Sequence, residues 1–374
     1  MTVRLDGGVT PTMLRVLRRC SLRMAFALSG AGRAPSTPAS RLGTAAHDVL
    51  AAVANGELPD AAAPEFAAAV EAVWLAAVDR QADESATHEV EAAFGPPPAW
   101  PSYNDVASRV QAEARALSAE RRSWHGRTVM VEHTIRRDGE PVWGTPDLVV
   151  GQGGGEEGIV ADHKTGVVSD ADVDVGGDVR AQLLVYAYLA RLDGIDVGVA
   201  EARPVARPRH RVAVDWAEAQ AVVEEARSLA DTFNAAVAVG RALELGKPSE
   251  EACGRCPYAA ECPAVWSYAA PGALGALQFV LGKVLNIEDS GRGSVLLELA
   301  VTAGTVPHGR VTVTRLPVRR LPALRRVSVG DDIRLAGLAG EPDGRLLRAD
   351  RGTWPRLSTH PLRPPPGAAD ALSS

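Results

Sequence analysis

Residues 132–164 read EHTIRRDGEPVWGTPDLVVGQGGGEEGIVADHK. The stretch reads as strand, turn, strand, glycine loop, strand. A first run, 128–136, ends at the turn pair Asp138-Gly139, and a second, 141–150, carries Gly144-Thr145-Pro146-Asp147. A loop from Gly151 to Gly158 leads to a third run, 159–165, which carries Asp162-His163-Lys164. Alternate residues of a strand point to one face, so Asp162 and Lys164 share a face and His163 takes the other. Pairing symmetrically about Gly154-Gly155 sets Val150 opposite Ile159 and Asp147 opposite Asp162. Two carboxylates then lie about 5 Å apart on adjacent strands, with an amine beside them. In the first run, Glu132 is expected to point with the two aspartates.

Paired carboxylates repel unless a positive charge sits between them. A hard divalent cation does this, and Mg²⁺ takes one or two carboxylates plus water and phosphate oxygens. A neighbouring lysine can orient a water or offset charge on a phosphoryl group. Taken alone, an Asp-x-Lys strand is commonly a solvated surface pair. The rest of the chain argues against that reading.

At 374 residues the chain is long enough for two domains, or one with a large insert. The net charge of −6 does not by itself point to nucleic acid. The charge is uneven: residues 305–363 hold twelve Arg against five acids, and residues 1–41 seven Arg against one. No apolar run is long enough to span a membrane, and the N-terminus does not read as a secretory signal, so a soluble cytoplasmic protein is expected. Three of the four cysteines, Cys253, Cys256 and Cys262, form a C-x2-C-x5-C cluster, and Cys20 lies near the N-terminus. In an intracellular chain such spacing favours a metal site over disulfides, either Zn²⁺ or an iron–sulfur cluster.

Thr10-Pro11 predicts a helix start, with Leu14, Leu17 and Leu22 on an apolar side and Arg15, Arg18, Arg19 and Arg23 on a basic one. Thr37-Pro38 predicts a second helix ending near Asn55-Gly56, with core stripe Leu42, Ala46, Val49, Leu50 and Val53 and His47 at its edge. Residues 57–126 are Ala-rich and predict a helical insertion broken at Gly95-Pro96-Pro97-Pro98. A helix is expected from about Asp178 to Leu192, with Gln182 and Tyr186 on one face. Strands follow over 196–203 and 209–214, then a long helix from Trp216 to Leu245. From Ala273 the pattern turns to short strands and predicts a small β-barrel to about Ser358. Residues 359–374, with three consecutive prolines, predict a disordered tail.

The ordered set His47, Glu132, Gly144-x-x-Asp147, Asp162-x-Lys164 and Gln182-x3-Tyr186 resembles the PD-(D/E)XK nuclease superfamily, and within it the RecB-like branch. Cys20 with Cys253, Cys256 and Cys262 resembles the iron–sulfur staple of a sub-branch that includes CRISPR-adaptation nucleases and helicase–nucleases. The resemblance covers roughly residues 10–266. It implies an α/β fold, with a restriction-endonuclease-like core, carrying the helical insertion. It implies that Asp147 and Asp162 hold Mg²⁺ or Mn²⁺ with His47 as a further ligand. Lys164 would position or activate water, Glu132 would be an outer ligand, and Gln182 and Tyr186 would help hold DNA. The cysteines would bind a 4Fe–4S cluster, with structural Zn²⁺ as the alternative. Asp162 stands where many relatives have Glu, and His163 is unusual in that place.

These readings divide the chain into a nuclease domain (1–268), a basic β-barrel, OB-like (269–358), and a tail (359–374). No Walker loop is present, since Gly282-Lys283 is followed by Val284. The barrel could hold single strands in a charged groove, though Phe279 and Trp354 are its few aromatics. The expected activity is metal-dependent hydrolysis of DNA, as an exonuclease on single-stranded ends, in repair or recombination, with DNA and a helicase or other repair protein as partners and no membrane. The rival expectations are a CRISPR-adaptation-type nuclease and a catalytically idle DNA-binding or assembly subunit.

Overall fold

The computed structural model describes residues 3–29, 35–88, 90–153, 155–165, 177–205, 208–268, 274–291, 293–340, 344–349 and 355–359. The chain forms two compact units: Asp6–Arg15 with Ser36–Ala230, and Met1–Leu5 with Val16–Pro35 and Asp231–Ser374.

The first unit is built on a five-stranded sheet. Helix α1 (Pro11–Leu28) enters from it, with the Thr10 hydroxyl accepting from the Met13 N–H at 3.2 Å. Helix α2 (Pro38–Asn55) begins where Thr37 accepts from the Ser40 N–H and stops at Gly56, whose φ is +76°. Its expected stripe is buried throughout. Helices α3 (Phe66–Ala86) and α4 (Tyr103–Arg121) flank a proline-rich break. Trp74, Trp100, Leu117 and Trp124 close on Leu42 and Val49 and on the sheet residues Leu148, Val150 and Ala161. The segment read as an insertion thus supplies part of the main core. Burying these side chains contributes about 1.5–3 kcal/mol each for the aliphatic ones.

The strands are β1 (Val129–Val131), β2 (Leu148–Val150), β3 (Ile159–Lys164), β4 (Val199–Pro204) and β5 (His210–Ala213), in spatial order β1-β2-β3-β4-β5. Helix α5 (Gly177–Leu192) links β3 to its parallel neighbour β4 and packs against both. The other pairs are antiparallel. Val150 lies opposite Ile159, the register expected from the symmetry of the loop. The first two strands are shorter than expected. Beyond them, Ile135–Gly144 and Val9–Val142 form only isolated bridges. Pro146 offers no N–H to a ladder, and Glu132 leaves the strand conformation with φ +46°.

Helix α6 (Trp216–Ala238) is capped by Asp215, whose Oδ1 accepts from the N–H groups of Ala217 and Glu218. It was expected to reach Leu245. It ends instead before Val239-Gly240, and Ala242–Leu245 form a separate 3₁₀ turn.

In the second unit α1 departs from helical geometry at Cys20 (φ −165°, ψ 102°). Short helices α7 (Glu250–Cys253) and α8 (Pro263–Tyr268) frame the cysteine loop. Then come β6 (Leu277–Asp289), β7 (Ser294–Gly304), β8 (Gly309–Pro317), β9 (Asp332–Ala339), β10 (Leu346–Arg348) and β11 (Arg356–Ser358). They form a six-stranded sheet, β10-β8-β7-β6-β9-β11, in which β10 also pairs with β9 and so closes a ring. Val284, Leu297, Leu299, Val313, Ile333, Leu335 and Leu347 fill its centre. Bulges in β6 bend the long strand as closure requires. Phe279 is fully buried, so it offers no stacking surface. Trp354 and all of the expected tail but Thr359 lie outside the described residues. No helix among the described residues is long and apolar enough to cross a membrane.

Candidate active site

Both ladders stop one step short of a carboxylate. Val131 lies opposite Leu148 across β1–β2, and Leu148 opposite Ala161 across β2–β3. The next step in each register aligns Glu132, Asp147 and Asp162 in one row across three strands. The strands part at this row. The Glu132 N–H still donates to the Asp147 carbonyl at 3.1 Å, and the chain then turns through the left-handed φ. Glu132 therefore reaches the site from a turn, not from the alternating face expected of a longer strand. A left-handed non-glycine residue is strained by about 1–3 kcal/mol and gathers at functional sites.

His47, on α2, faces this row. Its Nδ1 lies 3.3 Å from Asp147 Oδ1 and 3.5 Å from Glu132 Oε1. One ligand atom from each of the three falls within 4.8 Å of the others. Burial works against a charged imidazole here, but the hydrogen bonds and charges of Asp147 and Glu132 outweigh it and lift His47 to about 10. Asp147, 8% exposed, is held below the usual carboxylate range: burial pushes it up, and His47 more than offsets this. Its Oδ2 accepts from the His163 backbone N–H at 2.5 Å.

Asp162 is 3% exposed and is pushed up to about 6 by burial and then by Asp147. Its Oδ1 accepts from Gln182 Nε2 at 2.8 Å. Lys164 Nζ stands 2.5 Å from its Oδ2, yet that oxygen accepts no aligned hydrogen bond, so the contact is an ion pair only. Lys164 Nζ donates to Gln182 Oε1 at 2.8 Å, and Gln182 Nε2 also donates to the Tyr186 hydroxyl at 3.2 Å. Burial, and then Asp162, raise the Tyr186 phenol. Gln182 and Tyr186, one turn apart on α5, thus hold the lysine in place. Gly144 lets Tyr186 in: a Cβ there would lie 2.9 Å from Tyr186 Cε1.

His163 points away, as alternation requires. It is buried, its ring 6.4 Å from that of His47 and edge-on, and burial pushes it down to about 3. Across the β3–β4 ladder it sits opposite Arg203. Arg203 is fully buried and donates to Glu201 at 2.8 Å and to Glu120 of α4 at 2.9 Å. Arg211 and Arg209 pair with the same two acids, at 2.8 and 2.7 Å. This buried network was not read from the sequence. Its only signal is the pair Glu201 and Arg203 inside a mostly apolar strand. Gly43 was also missed: a Cβ there would meet Thr165 Oγ1, at the end of β3, at 2.7 Å.

The cysteines are not gathered as the His47 group is. Among the described residues no three of their sulfurs meet within 4.8 Å. None is in a disulfide, and all four line one small cavity with Arg23 and Phe26.

The donor set at the acid row is an imidazole and up to three carboxylates. Oxygen donors suit Mg²⁺, and an added imidazole is compatible with Mn²⁺. Burial and then Asp147 push the Asp162 carboxyl up, and a cation between the two carboxylates offsets their repulsion. The residues therefore fit a divalent ion. A mixed sheet with acids, histidine and lysine converging at one edge defines the class: a hydrolase site suited to a divalent metal and a phosphodiester. The PD-(D/E)XK nuclease superfamily pattern matches residues 8–263, and the chain belongs to that superfamily. No curated protein matches the chain.

Proposed function

We propose that this protein is a metal-dependent deoxyribonuclease of the RecB-like branch, acting as an exonuclease on single-stranded DNA ends in repair or recombination. The observation that carries the proposal is the meeting of the His47–Glu132–Asp147 group with the Asp162–Lys164–Gln182 chain on one sheet edge. His47, Asp147 and Asp162 would hold the cation, with Glu132 outside them. When bound, the cation supplies Lewis acidity toward the phosphodiester. Lys164, braced by Asp162 and Gln182, orients the attacking water and offsets charge on the phosphoryl oxygens. Gln182 and Tyr186 wall the site where DNA would lie.

We further propose that Cys20, Cys253, Cys256 and Cys262 hold a 4Fe–4S cluster. Four thiols around one cavity support this. Structural Zn²⁺ on the same four thiols is the alternative. The division into a nuclease domain, 1–268, and an OB-like domain, 269–358, is likewise our proposal. It is supported by the strand ring, whose fifth strand lies parallel to its third.

The test is anaerobic purification followed by incubation with end-labelled single- and double-stranded DNA in Mg²⁺, Mn²⁺ or EDTA. Cleavage that needs metal and is lost in Lys164→Ala supports the nuclease, and the product ladder gives its polarity. Metal-independent cleavage, or equal cleavage by both proteins, would remove the site assignment.

A further inference from the structure

From Gly309 to Gly330 the chain carries six arginines and no acid. Folding turns them outward. Strand β8 buries Val311, Val313 and Leu316, and a bulge against β7 sets one extra residue between the last two. Bulges re-aim side chains. Here Leu316 still turns inward, and Arg315, at a left-handed φ of +58°, is exposed. Parallel β10 sets exposed Arg348 beside Thr314. Past Pro317 the chain makes a 3₁₀ turn, Pro322–Arg326. Leu321, Leu324 and Val327 turn into the ring's core. Their sequence neighbours Arg319, Arg320, Arg325 and Arg326 are all exposed.

Among the described residues none of these four is in a salt bridge. The β6–β7 hairpin, tied to Val318 through the Gly293 carbonyl, carries Glu288 and Asp289. Those acids already accept from Asn286 and from the Gly291 N–H, at 2.8 Å each. Glu298 lies opposite Thr312, on the far side of the bulge. Four exposed like charges within eight residues repel one another and call for an anion. The segment uses arginine and no lysine, and the guanidinium fork matches a phosphate. The described ring residues expose no aromatic side chain, so phosphates rather than stacked bases are what this surface fits.

We propose that Arg319, Arg320, Arg325 and Arg326, extended by Arg315 and Arg348, form a sequence-independent surface for the phosphate backbone of a DNA strand. It rests on the reading of this chain as one that acts on DNA. These arginines lie outside the stretch that matches the superfamily, so the surface is an addition to the nuclease core.

The test uses the full-length protein and a variant with Arg319, Arg320, Arg325 and Arg326 all changed to Gln. A control variant loses equal charge elsewhere, at the exposed Arg80, Arg122, Arg227 and Arg241, again to Gln. Binding of fluorescent single-stranded DNA is read by anisotropy in EDTA across a salt series, and circular dichroism checks the fold. Each phosphate contact adds about 0.7 to the slope of log affinity against log salt on a single strand. The ring variant should lose about 10-fold or more in affinity at roughly 0.1 M salt, with a slope shallower by about two to three. Lysine at the same four positions should restore binding, since a point charge still holds a phosphate. If the ring variant does not fold, Arg325→Gln with Arg326→Gln carries the test, with about half the slope change. Wild-type affinity in the ring variant, or an equal loss in the control, would overturn the surface. So would tighter binding of poly-glutamate or of phosphatidylserine vesicles than of DNA. Selective loss of binding in the ring variant, with no cleavage by wild type in Mg²⁺ or Mn²⁺, would keep the surface and remove the nuclease reading instead.

Discussion

Asp162 and Lys164 share one strand face and carry opposite proposed roles, which their variants should separate. Asp162→Ala removes a proposed ligand and should abolish cleavage while the protein stays folded. Lys164→Ala should keep metal affinity within a few fold yet slow single-turnover cleavage by about 10²–10⁴, the usual worth of such a group. Loss of metal affinity in Lys164→Ala, read by Mn²⁺ titration, would count against that division. His47 makes a separate prediction for the metal-free protein. Its pKa is about 10 when folded, against an ordinary 6.5 when unfolded. The folded state keeps a proton that the unfolded chain gives up. The stability this confers is whole below pH 6.5 and is lost as pH rises through 10. The loss should be on the order of a few kcal/mol. Urea melts in EDTA across that range should show the decline in wild type and a flatter profile in His47→Asn. Equal profiles would sink the idea.

Among the elements, β4 carries the Glu201–Arg203 pair behind the acid row. Arg203→Met should destabilise by about 1–3 kcal/mol, since it removes the buried partner of Glu201 and leaves that acid the exposed Arg211 and, at longer range, Arg209. Arg203→Met with Glu201→Leu should recover most of that in denaturant melts. If the double variant is as unstable as the single, the cost lies in packing rather than in the acid's lost partner. On β2's approach to the sheet, Gly144→Ala should cost about 1–3 kcal/mol by overpacking against Tyr186, and cleavage should fall with it as Gln182 and Lys164 shift. An unchanged melting temperature would argue that α5 yields freely.

These elements also show what could be read before any coordinates. The β2–β3 register was legible because a symmetric loop and two apolar runs leave one pairing, and it aligned the two aspartates. Helix α2 was legible at both ends from Thr37-Pro38 and Gly56. Glu132 was placed in the right company for the wrong backbone reason, because a single left-handed residue leaves no trace in alternation. The Arg203 network, and Arg41 with its buried partners Glu91 and Gln81, were hidden because charge in a sequence is read as surface. The end of α6 was missed because residues 241–245, Arg-Ala-Leu-Glu-Leu, are themselves good helix formers and hide the break at Gly240.

At the scale of the whole molecule, the ring shares its compact unit with the cysteine loop. A chain stopped at residue 268 would therefore not be a trimmed nuclease with its cysteine site intact. It would expose Trp266 and the cysteine loop, which Phe279, Leu277 and Ser358 now cover. We expect such a chain to lose solubility and metal at the thiols. A soluble 1–268 chain with the metal content of the full protein would contradict this.

The division of residues between the units has a pharmacological edge. All four cysteines fall in one unit, and the whole candidate site, from His47 to Tyr186, in the other. A mercurial poison that stopped this protein could not do so by capping a thiol among the candidate site residues, for none there carries sulfur. Its effect would be read through the ring-bearing unit. A single cysteine engineered into the sheet would be the first thiol of its own unit, a clean place for a spin label or a dye.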